Sequence, residues 1–209
     1  MTAVADPATE EAQSVRRLGR PAVLAVMHPK GGVGRSTTVW HLGVELALRE
    51  RLVVLEDLDQ AQHLSAAFAQ NPLDLHGLQL GAPSAGADLV ILDTAPEADR
   101  ARAIRQLRRA DWVLVPVKGP EQASVQALPL LMDWIREADH ARLLAFLPTM
   151  HKARRASSRL WLEQLQVLAD RYQTQVLTPI GDLASIADWQ LTGHPYAHVA
   201  DEVLRVIGI

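Results

Sequence analysis

From residue 21 onward, short runs of consecutive apolar residues alternate with longer stretches in which apolar residues recur every three or four positions. The runs are AVLAVM (22–27), LVVLED (52–57), LVILD (89–93), WVLVPV (112–117), RLLAFLPT (142–149) and QVLT (175–178). A half-exposed strand alternates apolar and polar residues, whereas these runs are apolar on both faces, the mark of strands in a parallel sheet covered on both sides. The intervening stretches TTVWHLGVELALRER, EADRARAIRQLRRA, EQASVQALPLLMDWIREA and SSRLWLEQLQVLADRYQ have helical spacing, and AHVADEVLRVIG supplies a terminal helix. The pattern predicts an α/β fold, a doubly wound, mostly parallel sheet flanked by helices, with ligands bound at the carboxyl ends of the strands.

Composition narrows this picture without redirecting it. At 209 residues the chain has material for one sizeable core, and 48% hydrophobic with 22% charged residues is ordinary for a globular domain. A net charge of -3 offers no global attraction to nucleic acid or to an acidic membrane, so any such role must rest on a local patch. With no cysteine, disulfides and thiolate-bound metals are excluded, which fits a reducing cytosol. The first twenty residues hold no apolar run of signal-peptide length, and nowhere do about eighteen apolar residues follow one another. The expectation is a cytoplasmic protein with a mobile leader at 1–20 and one domain over 21–209.

Chemistry concentrates at the ends of three predicted strands. KGGVGRST stands directly after AVLAVM and directly before a helix. Gly31, Gly32 and Gly34 permit backbone conformations closed to other residues, so successive N–H groups, Val33 among them, can turn inward around a phosphate at a helix N-terminus. Ser36 stands where a hydroxyl can ligate Mg²⁺, and Thr37 beside it falls near an α-phosphate. A glycine-rich turn without a ligand is the plain alternative. In EDLDQAQHLS, Asp57 and Asp59 leave the second strand on the same side, able to orient a water or hold a metal-bound one, or else to form a solvated turn. In ADLVILDTAP, Asp93 emerges from four apolar residues and needs a partner such as hydrated Mg²⁺, unless it caps the next helix. HKARRASSR gathers Lys152, Arg154, Arg155 and Arg159 at a loop–helix junction, a patch able to neutralise phosphates without reading bases, or a solvated helix start. The helically spaced Arg102, Arg105, Arg108 and Arg109 read mostly as a solvated face.

The glycine loop resembles the deviant Walker A motif, K-G-G-x-G-K-[ST], of the ParA and MinD superfamily of P-loop ATPases, with Pro29 where the general P-loop has its first glycine. The resemblance extends over nearly all of 21–209. EDLDQAQHLS is similar to the family's D-x-D-P-Q-G-N segment, altered at Gln60, Ala61, Gln62 and His63, and LVILDTAP to its Walker B strand. ADWVLVPVKGPEQASVQAL, LPTMHKARRASSRL and GHPYAHVADEVLRV resemble later family segments, whereas TPIGDLASIADW departs from the usual run. The short length is most like the small plasmid-type ParA proteins.

This resemblance implies ATP and Mg²⁺ as ligands. It gives Lys30 the role of reaching across a nucleotide-sandwich homodimer, Asp59 that of positioning water, and Asp57 and Asp93 that of supporting the metal. Thr149, Met150, Pro179 and Ile180 would lie on the adenine side. It further implies nonspecific DNA binding, a ParB-like centromere-binding partner, nucleoid association, and a part in plasmid or chromosome segregation. Membrane recruitment is disfavoured, because the tail AHVADEVLRVIGI has two acids against one arginine.

Arg35 stands where the family has the lysine that holds the β- and γ-phosphates. Charge is kept and geometry is not, since guanidinium is planar and bulkier than ammonium. The expectation is retained ATP binding with weak intrinsic hydrolysis. A ParA-like pseudo-ATPase scaffold is the competing reading, motivated by Arg35, Ala61 and His63. A P-loop enzyme acting on a metabolite is the third, its iron–sulfur version excluded by the missing cysteines.

Overall fold

The computed structural model describes residues 20–71, 75–83, 86–96, 99–190 and 193–209. The apolar runs pair into one six-stranded, all-parallel sheet: β1 (Ala22–Val26), β2 (Val53–Asp57), β3 (Leu78–Leu80), β4 (Leu89–Asp93), β5 (Trp112–Lys118) and β6 (Arg142–Thr149), in the order β3-β2-β4-β1-β5-β6. The two-residue period of a strand then divides each run between two cores. Leu24 and Val26, Leu89 and Ile91, Leu114, and Ala145 and Leu147 face one side; Ala25 and Met27, Val90 and Leu92, Val113 and Val115, and Phe146 face the other.

Helices close both faces. On the first lie α1 (Arg35–Ala47), α2 (His63–Gln70), α7 (Ala184–Ala187) and α8 (Ala197–Ile207); on the second, α3 (Arg100–Leu107), α4 (Gln122–Gln126), α5 (Leu128–Ala138) and α6 (Ala156–Arg171). Because β1 sits between β4 and β5, the chain departs in opposite directions from neighbouring strand ends and opens a crevice above β1.

Four local expectations need correction. QVLT forms only an isolated bridge, Val176 to Phe146, because Pro179 has no N–H to donate and the Thr178 carbonyl accepts from His198 Nε2 at 2.9 Å. The single helix expected over 121–138 is two, with Pro129 entering the first turn of α5. Strand β3, three residues at the sheet edge, and helix α2 carry too little periodicity to be seen in sequence. Of the expected leader, residues 1–19 lie outside the described residues, whereas Arg20 is fastened to Asp111 through Nη1 at 2.9 Å and Nη2 at 2.6 Å and so belongs to the domain.

Candidate functional site

The loop Gly31–Gly34 joins β1 to α1 at the head of the crevice, with Gly32 at φ 71° and Gly34 at φ 89°, values that favour glycine. It walls a cavity of about 440 Å³ together with Arg35, Ser36, Thr37, Asp59, Ala61, His63, Pro96, Met150 and Trp189. Val33, 1% exposed, turns its side chain into the protein, and its carbonyl accepts from Thr149 Oγ1 at 2.7 Å. The hydroxyl of Thr149, expected beside a base, is thus spent bracing the loop.

Three carboxylates stand at neighbouring strand ends, and the fold gives them different tasks. Asp57 binds within the chain: Oδ1 accepts from Asp59 N at 3.1 Å, and Oδ2 from Ser65 N and Oγ at 2.9 and 2.7 Å. Since Gln62 before α2 makes no side-chain cap, Asp57 caps that helix from another element. Asp59 accepts from Ala61 N at 3.0 Å and lines the cavity. Asp93, directly opposite Asp57 in the β2–β4 register, is fully buried, and neither carboxylate oxygen has a partner in hydrogen-bond geometry. Burial pushes its carboxyl up to about 7; the nearby Ser36 hydroxyl and Arg35 oppose the shift, and Asp57 and Asp59 add to it.

Arg35 is only 7% exposed and turns back beneath the loop. Its Nε donates to the Thr94 carbonyl at 2.8 Å, and Nη1 to the carbonyls of His28 at 3.0 Å and Lys30 at 2.7 Å. The guanidinium therefore ties both ends of the glycine loop to the end of β4. Burial works against its charge, while Asp93 and Asp59 support it. Beneath the loop, His28 Nε2 donates to the Ser124 carbonyl at 2.9 Å and Nδ1 accepts from Lys30 N at 3.0 Å. That arrangement holds the ring neutral, and burial lowers its pKa to about 4. Lys30 forms an ion pair with Glu121 of its own chain, a contact that holds Glu121 below the usual carboxylate range.

The other predicted positions divide. Met150 lines the cavity, standing 3.8 Å from where a Cβ on Gly34 would lie. Ile180 is 2% exposed, its N–H donating to Pro148 and its carbonyl accepting from His151, and neither it nor Pro179 lines the cavity. In the basic segment, Arg154, Arg155 and Arg159 are exposed where α6 begins, while Lys152 pairs with Asp182 at 3.0 Å. Of the α3 arginines, Arg109 pairs with Glu56 and Arg102 donates to the Leu58 carbonyl at 3.2 Å. Trp189, His28 and Glu121 were missed in sequence: their roles depend on contacts between segments some ninety or more positions apart, which no local pattern records.

A glycine loop at the head of a helix, set over β1 of a six-stranded parallel sheet and facing a buried strand-end carboxylate, is the architecture of a P-loop ATPase fold of the ParA type. Residues 32% identical over an alignment of 108 positions relate the chain to the maintenance of carboxysome distribution protein A of Gloeobacter kilaueensis, covering 46% of this chain and 49% of that protein. The chain thus spans about half the length of this curated relative. A plasmid partition protein from Borrelia burgdorferi B31 bound to AMPPNP superposes with a TM-score of 0.71 at 17% identity, over 90% of this chain and 98% of that one. Cobyrinic acid a,c-diamide synthase from Mycobacterium smegmatis with an ATP analogue and magnesium gives 0.70 at 26% identity, over 88% and 95%. No family model matches the chain. The curated similarity and the ParA-type structural neighbours support the ParA/MinD superfamily for this protein.

Proposed function

We propose that this protein is an ATP-dependent partition or positioning protein that binds ATP with Mg²⁺, dimerises through the nucleotide, binds DNA without sequence preference and hydrolyses ATP slowly. Asp93 carries the reading. A carboxylate with both oxygens buried and unpartnered is costly unless a cation completes it. Among the described residues no group of three or more His, Asp or Glu forms a metal cage, which suits Mg²⁺, a cation bound by one or two carboxylates plus substrate phosphates. Ser36 and Asp93 would hold it, with Asp57 behind them, and bound Mg²⁺ would neutralise charge on the phosphate oxygens. The loop N–H groups and the α1 N-terminus would take the phosphates, and Asp59 would orient water.

The fold is shared with a synthase, so the partition reading rests on Lys30 and on the similarity to the carboxysome distribution protein. For DNA, the supporting feature is that Arg154, Arg155 and Arg159 crowd the start of α6 with no acidic residue in its first turn. Cations there oppose the helix dipole, so helix stability does not account for them. The cargo would be a plasmid, a chromosome or another large body, with a ParB-like protein as the partner that resets the cycle.

Arg35 favours slow turnover, because its Nε and Nη1 are committed to carbonyls rather than aimed at phosphate. The same observation is what favours a scaffold with no nucleotide cycle. Calorimetry separates the two: the proposal expects Mg²⁺-dependent ATP binding, abolished by Asp93→Asn, and no binding by the wild type selects the scaffold. Arg35→Lys is expected to raise kcat severalfold; a robust wild-type turnover that this substitution lowers would refute the slow-ATPase part.

A further inference from the structure

The cavity is lined by two unlike kinds of side chain. A Cβ on Gly31 would meet Pro96 at 3.7 Å, three positions beyond Asp93, and the lining includes Asp59. A Cβ on Gly34 would meet Met150 at 3.8 Å, and Trp189 lines the same cavity. Carboxylates suit hydrated cation and terminal phosphate, whereas a thioether and a half-buried indole suit the flat apolar face of a base.

Both Met150 and Trp189 have left-handed backbone, at φ 51° and φ 61°. For side chains of this size that conformation is costly, and such residues concentrate at ligand sites. Trp189 is also held at a fixed angle, edge-on to the fully buried Trp40 of α1 at 6.1 Å and 80°, and Trp40 is in turn edge-on to Phe68 of α2 at 5.8 Å. The indole is therefore supported from behind by the helix that follows the phosphate loop. The segment expected to contact the base, Pro179 and Ile180, is unsuited to it, since the Ile180 side chain and both its backbone groups are already used.

We propose that Trp189, with Met150, forms the base-binding wall of this site, and that the protein holds a purine nucleotide by stacking the ring on the indole. The proposal rests on the nucleotide reading above and adds the residue that decides which part of the nucleotide is recognised. An aromatic wall grips the base by its face, in contrast to the loop, which grips the phosphates.

The test compares ATP with inorganic tripolyphosphate, each with Mg²⁺, by calorimetry on the full chain and on Trp189→Ala and Trp189→Phe, with thermal melts of the ligand-free proteins as a control on folding. Loss of a stacked base is expected to weaken ATP about ten- to hundredfold in Trp189→Ala while leaving tripolyphosphate unchanged. Trp189→Phe, which keeps an aromatic face and the contact with Trp40, should retain most of the ATP affinity. An unchanged ATP affinity in Trp189→Ala, or an equal loss for both ligands in the two variants, overturns the wall and leaves the nucleotide reading standing. A wild type that binds neither ligand overturns both.

Discussion

Arg35 and His28 show how much at this site is decided by single side chains. Three carbonyls converge on one guanidinium, and a lysine, with one compact charge on a flexible stem, cannot bridge all of them. Arg35→Lys is therefore expected to lower the melting temperature of the ligand-free protein by about 2–4 °C for each kcal/mol lost, even as turnover rises, and differential scanning calorimetry beside a phosphate-release assay reads both. His28 predicts a pH effect. Its folded pKa, about 4, lies below the ordinary 6.5, so the unfolded chain binds the extra proton first as pH falls. The stability it contributes is complete above pH 6.5 and is lost as pH falls toward 4, by an amount on the order of 3 kcal/mol. Asp93 slopes the other way: with its pKa raised from the ordinary 3.8 to about 7, the folded state keeps a proton that the unfolded chain has already released, so stability falls as pH rises through that range. The two oppose each other in the wild type, and His28→Gln should remove the His28 contribution, leaving Asp93 opposed only by the weaker burial effects on His41 and His151: urea melts between pH 4.5 and 7.5 are expected to show a variant whose stability rises less with pH than that of the wild type.

At the scale of elements, the basic end of α6 depends on how that helix is seated. Gly119 at the end of β5 passes so close to Trp161 that a Cβ would lie 2.7 Å from its ring, and Trp161 is 4% exposed. A rigid indole cannot yield as a flexible side chain can, so Gly119→Ala is expected to destabilise by about 1–3 kcal/mol in chemical denaturation, through overpacking between β5 and α6. The exposed arginines should be separable from that packing. Arg154→Ala combined with Arg155→Ala is expected to leave the melt unchanged and to weaken DNA binding equally across unrelated sequences. The slope of log K against log salt should fall by about two, and an unaltered slope would remove this segment from the DNA-binding surface. Lys152 should contribute less, being paired with Asp182. Much of this scale was legible in the sequence: five of the six expected strands and the major helices form, because a buried strand and an amphipathic helix each impose their period directly. What was not legible was short or borrowed its stability. Helix α2 is capped by Asp57 from β2, and QVLT had the composition of a strand but its pairing with β6 stops at Pro179, which has no N–H to continue the ladder.

For the whole molecule the telling contact is the ion pair between Lys30 and Glu121 of one chain. Both side chains are about a third exposed, at 32% and 31%, so the pair is worth no more than about 1 kcal/mol and would be readily exchanged for a phosphate across the proposed dimer interface. Lys30→Ala is expected to keep ATP affinity within a few-fold and to abolish the ATP-dependent dimer, read by light scattering after size exclusion. Dimers that persist in this variant would show that Lys30 has no part in assembly. Among the described residues no helix is long and apolar enough to cross a membrane, and α8 buries Val199, Ala200, Val203 and Ile207, so its apolar face is occupied by the domain.

The sequence by itself determined the sheet, the two layers of helices, and the presence of a glycine loop and three acids at strand ends. These follow from periodicity, from the backbone freedom of glycine and from the order of motifs along the chain, all of them local quantities. Tertiary structure alone decided how those parts are used. It tied Arg35 to three carbonyls beneath the loop, gave Asp57 a helix to cap, left Asp93 buried without a partner, and brought Trp189, rather than Pro179 and Ile180, to the lining of the cavity. The reason is that hydrogen-bond saturation and burial are properties of the assembled neighbourhood: a guanidinium finds carbonyls and a carboxylate loses water only once distant segments have packed.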